Sequence, residues 1–495
     1  MKFYDIDDSL DEAIVAANKP VRVKIEIARN GNFESVFQED IIEATFYGLK
    51  ETAGGTAARG ELILDNPQGI YTGAGSGSPV NISFSIGDGL PYFQRFRFYI
   101  NDKGIQDIRG PGRKRYARIV LLDLSAKLRK TDEAKDWTTP SVFTYSVVCD
   151  KTQPEKSLVH RIAQRAGLSV NDIDCSTIPI ALPYVRLKKN IWAELSSLAT
   201  AYRCHLECPV EKPLVFAHSP YQAELPEEND YSYTFTGSDI FYLRKTEQAE
   251  LYRNTVRLKI NIPVSLDRQE IWRYGEPPVL YDDTLQAYYP FRETLIREIE
   301  MGTYEGHYRI IDENGKERSV VYADEIDTQD EAENRLNYNG EPLSYSNYDI
   351  TTHHDRAILT LKKEADGDLY KAAIYGRPIV LDLNRSCFKR DSEAVNQYGT
   401  AALNVTGSYF SEDNLCGTLE GKPHYEDWVS RELAERLNAK KEYTVKTHRG
   451  LFNARVGAKV KITVTNETLT GTINAFSFRY RKDKAFVAAF RISET

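Results

Sequence analysis

Residues 59–82 read RGELILDNPQGIYTGAGSGSPVNI, and residues 115–128 read RYARIVLLDLSAKL. In the first stretch an alternating strand ends in Leu64-Asp65-Asn66, and a Pro67/Gly69 turn then places Tyr71. A Gly/Ser-rich loop leads on to a second strand at Val80-Asn81-Ile82. Pro and Gly punctuate strands because one fixes φ and the other tolerates left-handed backbone. The second stretch is a near-continuous apolar strand that runs into Asp123 and Leu128.

Outward from this pair the β signal continues. Residues 21–28 (VRVKIEIA) alternate strictly, as a half-buried strand does. Strands are also expected at 40–49, 61–65, 80–86, 93–101 and 115–124, with turn residues between most of them, which suggests a barrel or sandwich. Residues 1–19 read as a short acidic helix or arm. The pattern changes near Ser125. One amphipathic helix has Pro154 near its first turn, Leu158, Ile162, Ala163 and Ala166 on one face, and Gly167 as its stop. A second starts at Asn190 and carries Ile191, Leu195, Leu198, Ala199 and Tyr202. Strands at 143–149 and 214–216 complete a small α/β unit. Strand patterns return at 231–262. Residues 263–349 are irregular, charged and Tyr-rich, with a capping box at 328–331. Paired strands are expected at 356–362 and 370–383 around an Asp366-Gly367-Asp368 turn. Residues 424–440 form a helix with Val429, Leu433 and Leu437 on one face beside Trp428. Strands at 443–448, 459–465, 469–480 and 485–492 follow.

The fold class is therefore β-rich α+β, with two barrel-like β-domains, a small α/β domain between them and an irregular Tyr-rich insertion. The expected division is an N-terminal arm at 1–19, a first β-barrel-like domain at 20–125 and an α/β domain at 126–230. A second β-barrel-like domain takes 231–265 plus 350–495, including helix 424–440. Residues 266–349 are an insertion or peripheral domain.

The order strand, "L-x-N-x-x-G-x-Y" turn, strand, then "D-x-x-x-x-L" resembles the N-terminal β-domain of bacteriophage tail-tip and baseplate-hub proteins. Its positions here are Asn66, Gly69, Tyr71, Asp123 and Leu128. The "A-x-x-A-G-L" helix end with Gly167, the "W-x-x-L-x-x-L-A" helix with Trp192, and a "G-x-P-I" step at Gly376 and Pro378 are similar to the same family. The resemblance implies a homotrimeric ring whose six β-domains face a hexameric tail tube or distal tail protein. It also implies a spike, fibre or tip protein below, and a lumen for tape-measure protein and passing DNA. The protein would then sit in a virion tail assembled in the host bacterial cytoplasm.

Composition narrows the rest. Of 495 residues 41% are hydrophobic, including 31 Tyr and 20 Phe, so a sizeable core is expected. Only 2 Met are present, which points to rigid aromatic β surfaces. A net charge of −8 argues against a dedicated phosphate-binding surface. The six cysteines are too scattered for a disulfide framework. The first residues carry no signal-peptide pattern, and no window approaches 18 apolar residues, so no membrane insertion is expected.

Candidate chemistry is sparse. Cys204-His205-Leu206-Glu207-Cys208 with His218 lacks zinc-knuckle spacing and reads as buried thiols. His353-His354-Asp355 reads as a polar loop end, and Asp312–Lys316 as a hairpin turn rather than a calcium loop. No nucleophile elbow, phosphate loop or zinc-protease motif occurs, so no catalytic residue, metal or cofactor is named. Trp272, Tyr288, Tyr289 and Tyr308 stand for the aromatic insertion, whose role is a subunit interface, local packing or a glycan site. Two alternatives to a structural hub remain: a tail-associated cell-wall hydrolase, and a receptor- or carbohydrate-binding tail protein using that insertion. No lysozyme-like, peptidase or fibre domain follows the last strands, so wall degradation is not expected here.

Overall fold

The computed structural model describes residues 4–15, 20–50, 55–109, 114–130, 142–187, 190–210, 212–218, 231–247, 252–275, 303–312, 314–327, 335–337, 348–361, 369–407, 409–411, 423–437, 441–464 and 467–494. Strands dominate and helices are short, a β-rich α+β fold. Alternation does the local work. In Val21–Arg29 every second residue, from Val21 to Ile27, is buried. The strand pairs antiparallel with Pro79–Ile86, Val23 lying opposite Phe84 and Ile25 opposite Ile82. From there the sheet passes through Phe93–Arg109, Arg115–Leu122 and Thr56–Asp65 to Ile41–Lys50.

It does not stop there. Ile41–Lys50 pairs antiparallel with the second half of Glu467–Arg481, Phe46 opposite Phe478 and Gly48 opposite Phe476. Val487–Glu494, Lys441–Thr447 and Ile240–Glu247 follow in order. Lys459–Val464 takes the first half of Glu467–Arg481, and Tyr233–Thr236 lies parallel beside it. Among the described residues the two expected barrels are thus parts of one 13-stranded sheet, whose strand order runs from Asn32–Ser35 to Ile240–Glu247. Glu467–Arg481 changes partners at a register shift between Ile473 and Ala475. A bulge of this kind bends the strand, which lets one strand serve two units.

The seam between the units is aromatic. Phe46, Phe84, Phe96 and Phe98 from the first share a core with Phe452, Phe476, Phe478, Phe486 and Phe490 from the second. Phe84 stacks on Phe452 at 5.2 Å, and Phe96 on Phe476 at 6.0 Å. Gly48 is required here: a Cβ would sit 2.3 Å from the Phe476 ring. The N-terminal helix Asp8–Val15, its first turn held by the Asp7 carboxylate accepting from the Ser9 N–H, packs Leu10, Ala13 and Ile14 into the same core.

The α/β unit is a separate core. Asn190 caps Ile191–Ala201 by accepting from the Ala193 N–H at 2.9 Å. Gly167 ends Leu158–Arg165 with φ +81°, a left-handed position that favours glycine. Around these helices lie the antiparallel pair Val142–Cys149/Ile178–Arg186 and the three-stranded sheet Cys204–Glu207, Leu214–His218 and Ile173–Cys175.

The middle of the chain departs from the expected division. Among the described residues Thr255–Ser265 joins no barrel strand; it pairs antiparallel with the 22-residue strand Leu369–Arg390 and parallel with Ala402–Gly407. Its alternate residues Val256, Leu258, Ile260 and Ile262 pack in the α/β core together with Trp428, Val429 and Leu433 of helix His424–Leu437. The expected hairpin around Asp366-Gly367-Asp368 is corrected as well. Arg356–Leu361 pairs with Thr303–His307 and Tyr348–Thr352, whereas Leu369–Arg390 is taken by Thr255–Ser265, Gln269–Gly275, Glu317–Asp327 and Arg335–Asn337. The turn itself and the capping box at 328–331 lie outside the described residues. Where it is described, the 266–349 stretch is built of strands rather than irregular chain.

Candidate functional site

The decisive turn folds as a hydrogen-bonded unit. The Asn66 carbonyl accepts from the Gly69 N–H at 3.1 Å, and its side-chain oxygen from the Tyr71 N–H at 3.2 Å. Gly69 sits at φ +72°, and a Cβ there would lie 2.8 Å from the Arg115 guanidinium. Tyr71 then points inward. Its hydroxyl donates to Asp40 at 2.5 Å and accepts from the Phe37 N–H at 3.3 Å. Burial and the neighbouring carboxylate push this phenol far above its usual range. The turn therefore latches the segment before Ile41–Lys50, the strand that forms the seam.

A second cluster sits where the two β-units meet the α/β unit. In the Pro79–Ile86/Phe93–Arg109 pairing Ile82 faces Phe96 and Ser83 faces Gln94, so Arg95 is a bulged residue and its side chain turns into the core. Its guanidinium donates to the carbonyls of Phe452 at 3.0 Å and Ala454 at 2.9 Å. It lies 4.2 Å from the Tyr4 ring centroid, with Arg455 at 4.4 Å from the same ring. Arg455 is ion-paired to buried Glu207, which lies 3.2 Å from His205 Nε2. Burial, then the cations Arg455 and Lys50, hold that imidazole neutral and push it down to about 3. Buried charges are tolerated only when paired and hydrogen-bonded, so this cluster fixes one relative placement of the parts it joins.

Asp123 belongs to the same junction. It accepts from the Ala58 N–H at 2.6 Å and from both the N–H and hydroxyl of Ser125, so it ties Thr56–Asp65 to helix Leu124–Lys130. Burial raises its carboxyl to about 6. Asp123, Arg95, Tyr4 and Glu207 line a cleft of about 30 Å³. That is room for water-sized molecules, against the several hundred Å³ of a ligand pocket.

The other sequence-named positions lie elsewhere. Leu128 is in the α/β core. Trp192 is buried beside it, with Arg129 at 5.4 Å from its ring, and a Cβ on Gly55 would sit 2.7 Å from it. Gly376 and Pro378 lie in Leu369–Arg390; a Cβ on Gly376 would meet Ile271 at 2.9 Å, and the Pro378 carbonyl accepts from Leu266. These residues do not converge on a single constellation. Of the three roles weighed for the aromatic insertion, Trp272 and Tyr308 fit local packing: both are buried in the chain's own core with Ile310, Val320 and Ile374, so neither offers surface to a partner. Tyr288 and Tyr289 lie outside the described residues.

Cys204, His205 and Glu207 are all buried, because both faces of their strand are covered. Asp312 closes the hairpin between Arg309–Ile311 and Glu317–Asp327 by accepting from the Asn314 and Lys316 N–H groups. His354 stacks on Tyr322 beside a turn in which the His353 N–H donates to the Arg356 carbonyl. Sequence reading missed Arg95 and Arg455, because a bulge and a contact across some 360 residues leave no local pattern.

No protein-family model and no curated protein matches the chain. Among solved structures it is similar to the tail protein from Neisseria meningitidis MC58, with a TM-score of 0.49 at 10% identity over 96% of this chain and 97% of that one. It is also similar to the 43 kDa tail protein of prophage MuSo2 from Shewanella oneidensis, with a TM-score of 0.48 at 8% identity over 95% and 98%. A third is prophage tail protein gp18 from Listeria monocytogenes EGD-e, with a TM-score of 0.42 at 11% identity over 95% and 94%.

Proposed function

We propose that this chain is a structural hub subunit of a phage or phage-like tail. Three copies close a ring that joins a hexameric tail tube to a central spike or tip and lines the conduit for tape measure and DNA. The observation that carries the reading is the continuous sheet. One chain offers two β-units side by side, fixed by the Phe46–Gly48/Phe476–Phe478 seam, so three chains present six. The sequence motifs that resemble hub proteins support the same reading.

Two further features support assembly. The open ends of the sheet carry exposed aromatics, Phe33 on Asn32–Ser35 and Phe241 and Tyr242 on Ile240–Glu247. Unpaired strand edges with apolar side chains are normally covered, and head-to-tail contacts between unlike edges close rings. The polar junction pairs Arg455 with Glu207 beside a cleft of about 30 Å³, too small for a glycan, so this junction supports a structural role. The receptor-binding alternative loses Trp272 and Tyr308, which are core residues.

Light scattering on the purified protein over a concentration series tests this. A stable species of three times 56.4 kDa is expected. A strict monomer at every concentration, with wall hydrolysis or cell binding instead, would overturn it.

A further inference from the structure

Three buried side chains converge inside the α/β unit, from elements that the sequence separates. Cys149 ends strand Val142–Cys149, His160 stands in the first turn of helix Leu158–Arg165, and Cys175 ends strand Ile173–Cys175. Their ligand atoms all lie within 4.8 Å of one another. We propose that Cys149, His160 and Cys175 form a binding site for a thiophilic divalent cation of the zinc class, which ties the helix to the two strands flanking it.

The donor set decides the ion. Two thiolates and an imidazole suit zinc and its analogues, whereas hard cations such as calcium and magnesium require oxygen ligands. Charge decides the burial. Two thiolates neutralise a dication, so a site among Leu158, Ile162 and Ile173 holds no net charge. The histidine ring is already oriented: Ser157 Oγ lies 2.7 Å from its Nδ1, as the outer partners of ligating histidines do. A tetrahedral ion has a fourth position, and Cys204 belongs to the same core. The spacing of 149, 160 and 175 matches no zinc knuckle, which is why the sequence directs attention to the Cys204/Cys208 pair instead.

Cobalt(II) is the probe. The full chain is stripped with chelator, kept reduced and titrated with Co²⁺. We expect one equivalent to bind with a thiolate-to-metal charge-transfer band and tetrahedral visible absorption, both displaced by Zn²⁺. The band disappears in Cys149→Ser and in Cys175→Ser, and the visible absorption shifts in His160→Gln. Three results overturn the proposal: no charge-transfer band in the reduced wild-type chain at stoichiometric Co²⁺; a Cys149–Cys175 disulfide with no metal uptake after its reduction; or binding that survives Cys149→Ser and is lost in Cys204→Ser/Cys208→Ser. The first two are read on the wild-type chain, so the proposal stays testable if a variant fails to fold.

Discussion

Buried His205 and His424 couple stability to pH at the scale of single residues. Burial pushes His205 down to about 3 and His424 down to about 4, against an ordinary value near 6.5. The unfolded chain then binds more protons than the folded one, so stability is complete above about pH 6.5 and is lost as pH falls toward the folded values. Asp123 acts in the opposite sense. Raised to about 6, it binds a proton more readily when folded, so its contribution grows as pH falls from about 6 toward 4. At about 1.4 kcal/mol per tenfold change in proton affinity, the two histidines outweigh one aspartate. Denaturant unfolding should show a net loss on the order of 3 kcal/mol between about pH 6.5 and 4.5. The slope should flatten in His424→Gln and steepen in Asp123→Asn; an unchanged slope in both would sink the assignment. Tyr71→Phe removes one hydroxyl that serves both Asp40 and the Phe37 N–H, and should cost about 1–3 kcal/mol with the fold retained, read by the same unfolding assay. The Asn66–Tyr71 turn was legible in the sequence because turn chemistry is local. Arg95 was not, since only the bulge opposite Ile82 and Ser83 turns it inward.

Among the elements, Glu467–Arg481 shows what strand patterns carry and what they omit. Alternation located the strand. It gave no sign that residues 467–472 pair with Lys459–Val464 while 475–481 pair with Ile41–Lys50, because an element's own side chains do not name its neighbours. Gly48 is the position on which that second pairing depends. In Gly48→Val the branched side chain collides with the Phe476 ring, inside a core where Phe96, Phe476 and Phe478 stack. A loss of about 3 kcal/mol or more is expected in thermal or denaturant unfolding, whereas a change below about 0.5 kcal/mol would mean the seam is loose. Helix His424–Leu437 was equally plain as a helix and equally silent about its dock. His424 and Trp428 hydrogen-bond the carbonyls of Ala201 and Thr200 at the C-terminal end of helix Ile191–Ala201, where the Thr200 carbonyl also accepts from the Arg203 N–H.

For the molecule as a whole, class was legible and partition was not. Strand alternation, the change of period near Ser125 and the Phe/Tyr excess fix a β-rich α+β fold. Assigning Thr255–Ser265 to a barrel followed from its alternation, yet its apolar face meets helices of the α/β core, a contact that only the closed chain reveals. The same holds for the cysteines: six scattered thiols carry no framework, and the approach of Cys149 to Cys175 depends on two strands meeting through a helix.

The seam also sets an order in time. Ile41–Lys50 receives its partner about 430 residues later in the chain. A ribosome adding roughly 5–20 residues per second takes on the order of 20–90 s to cover that distance. For that interval the nascent first unit carries a bare strand edge above a half-filled ring of phenylalanines. The first unit's sheet therefore gains its partner strand only after residues 475–481 have been made.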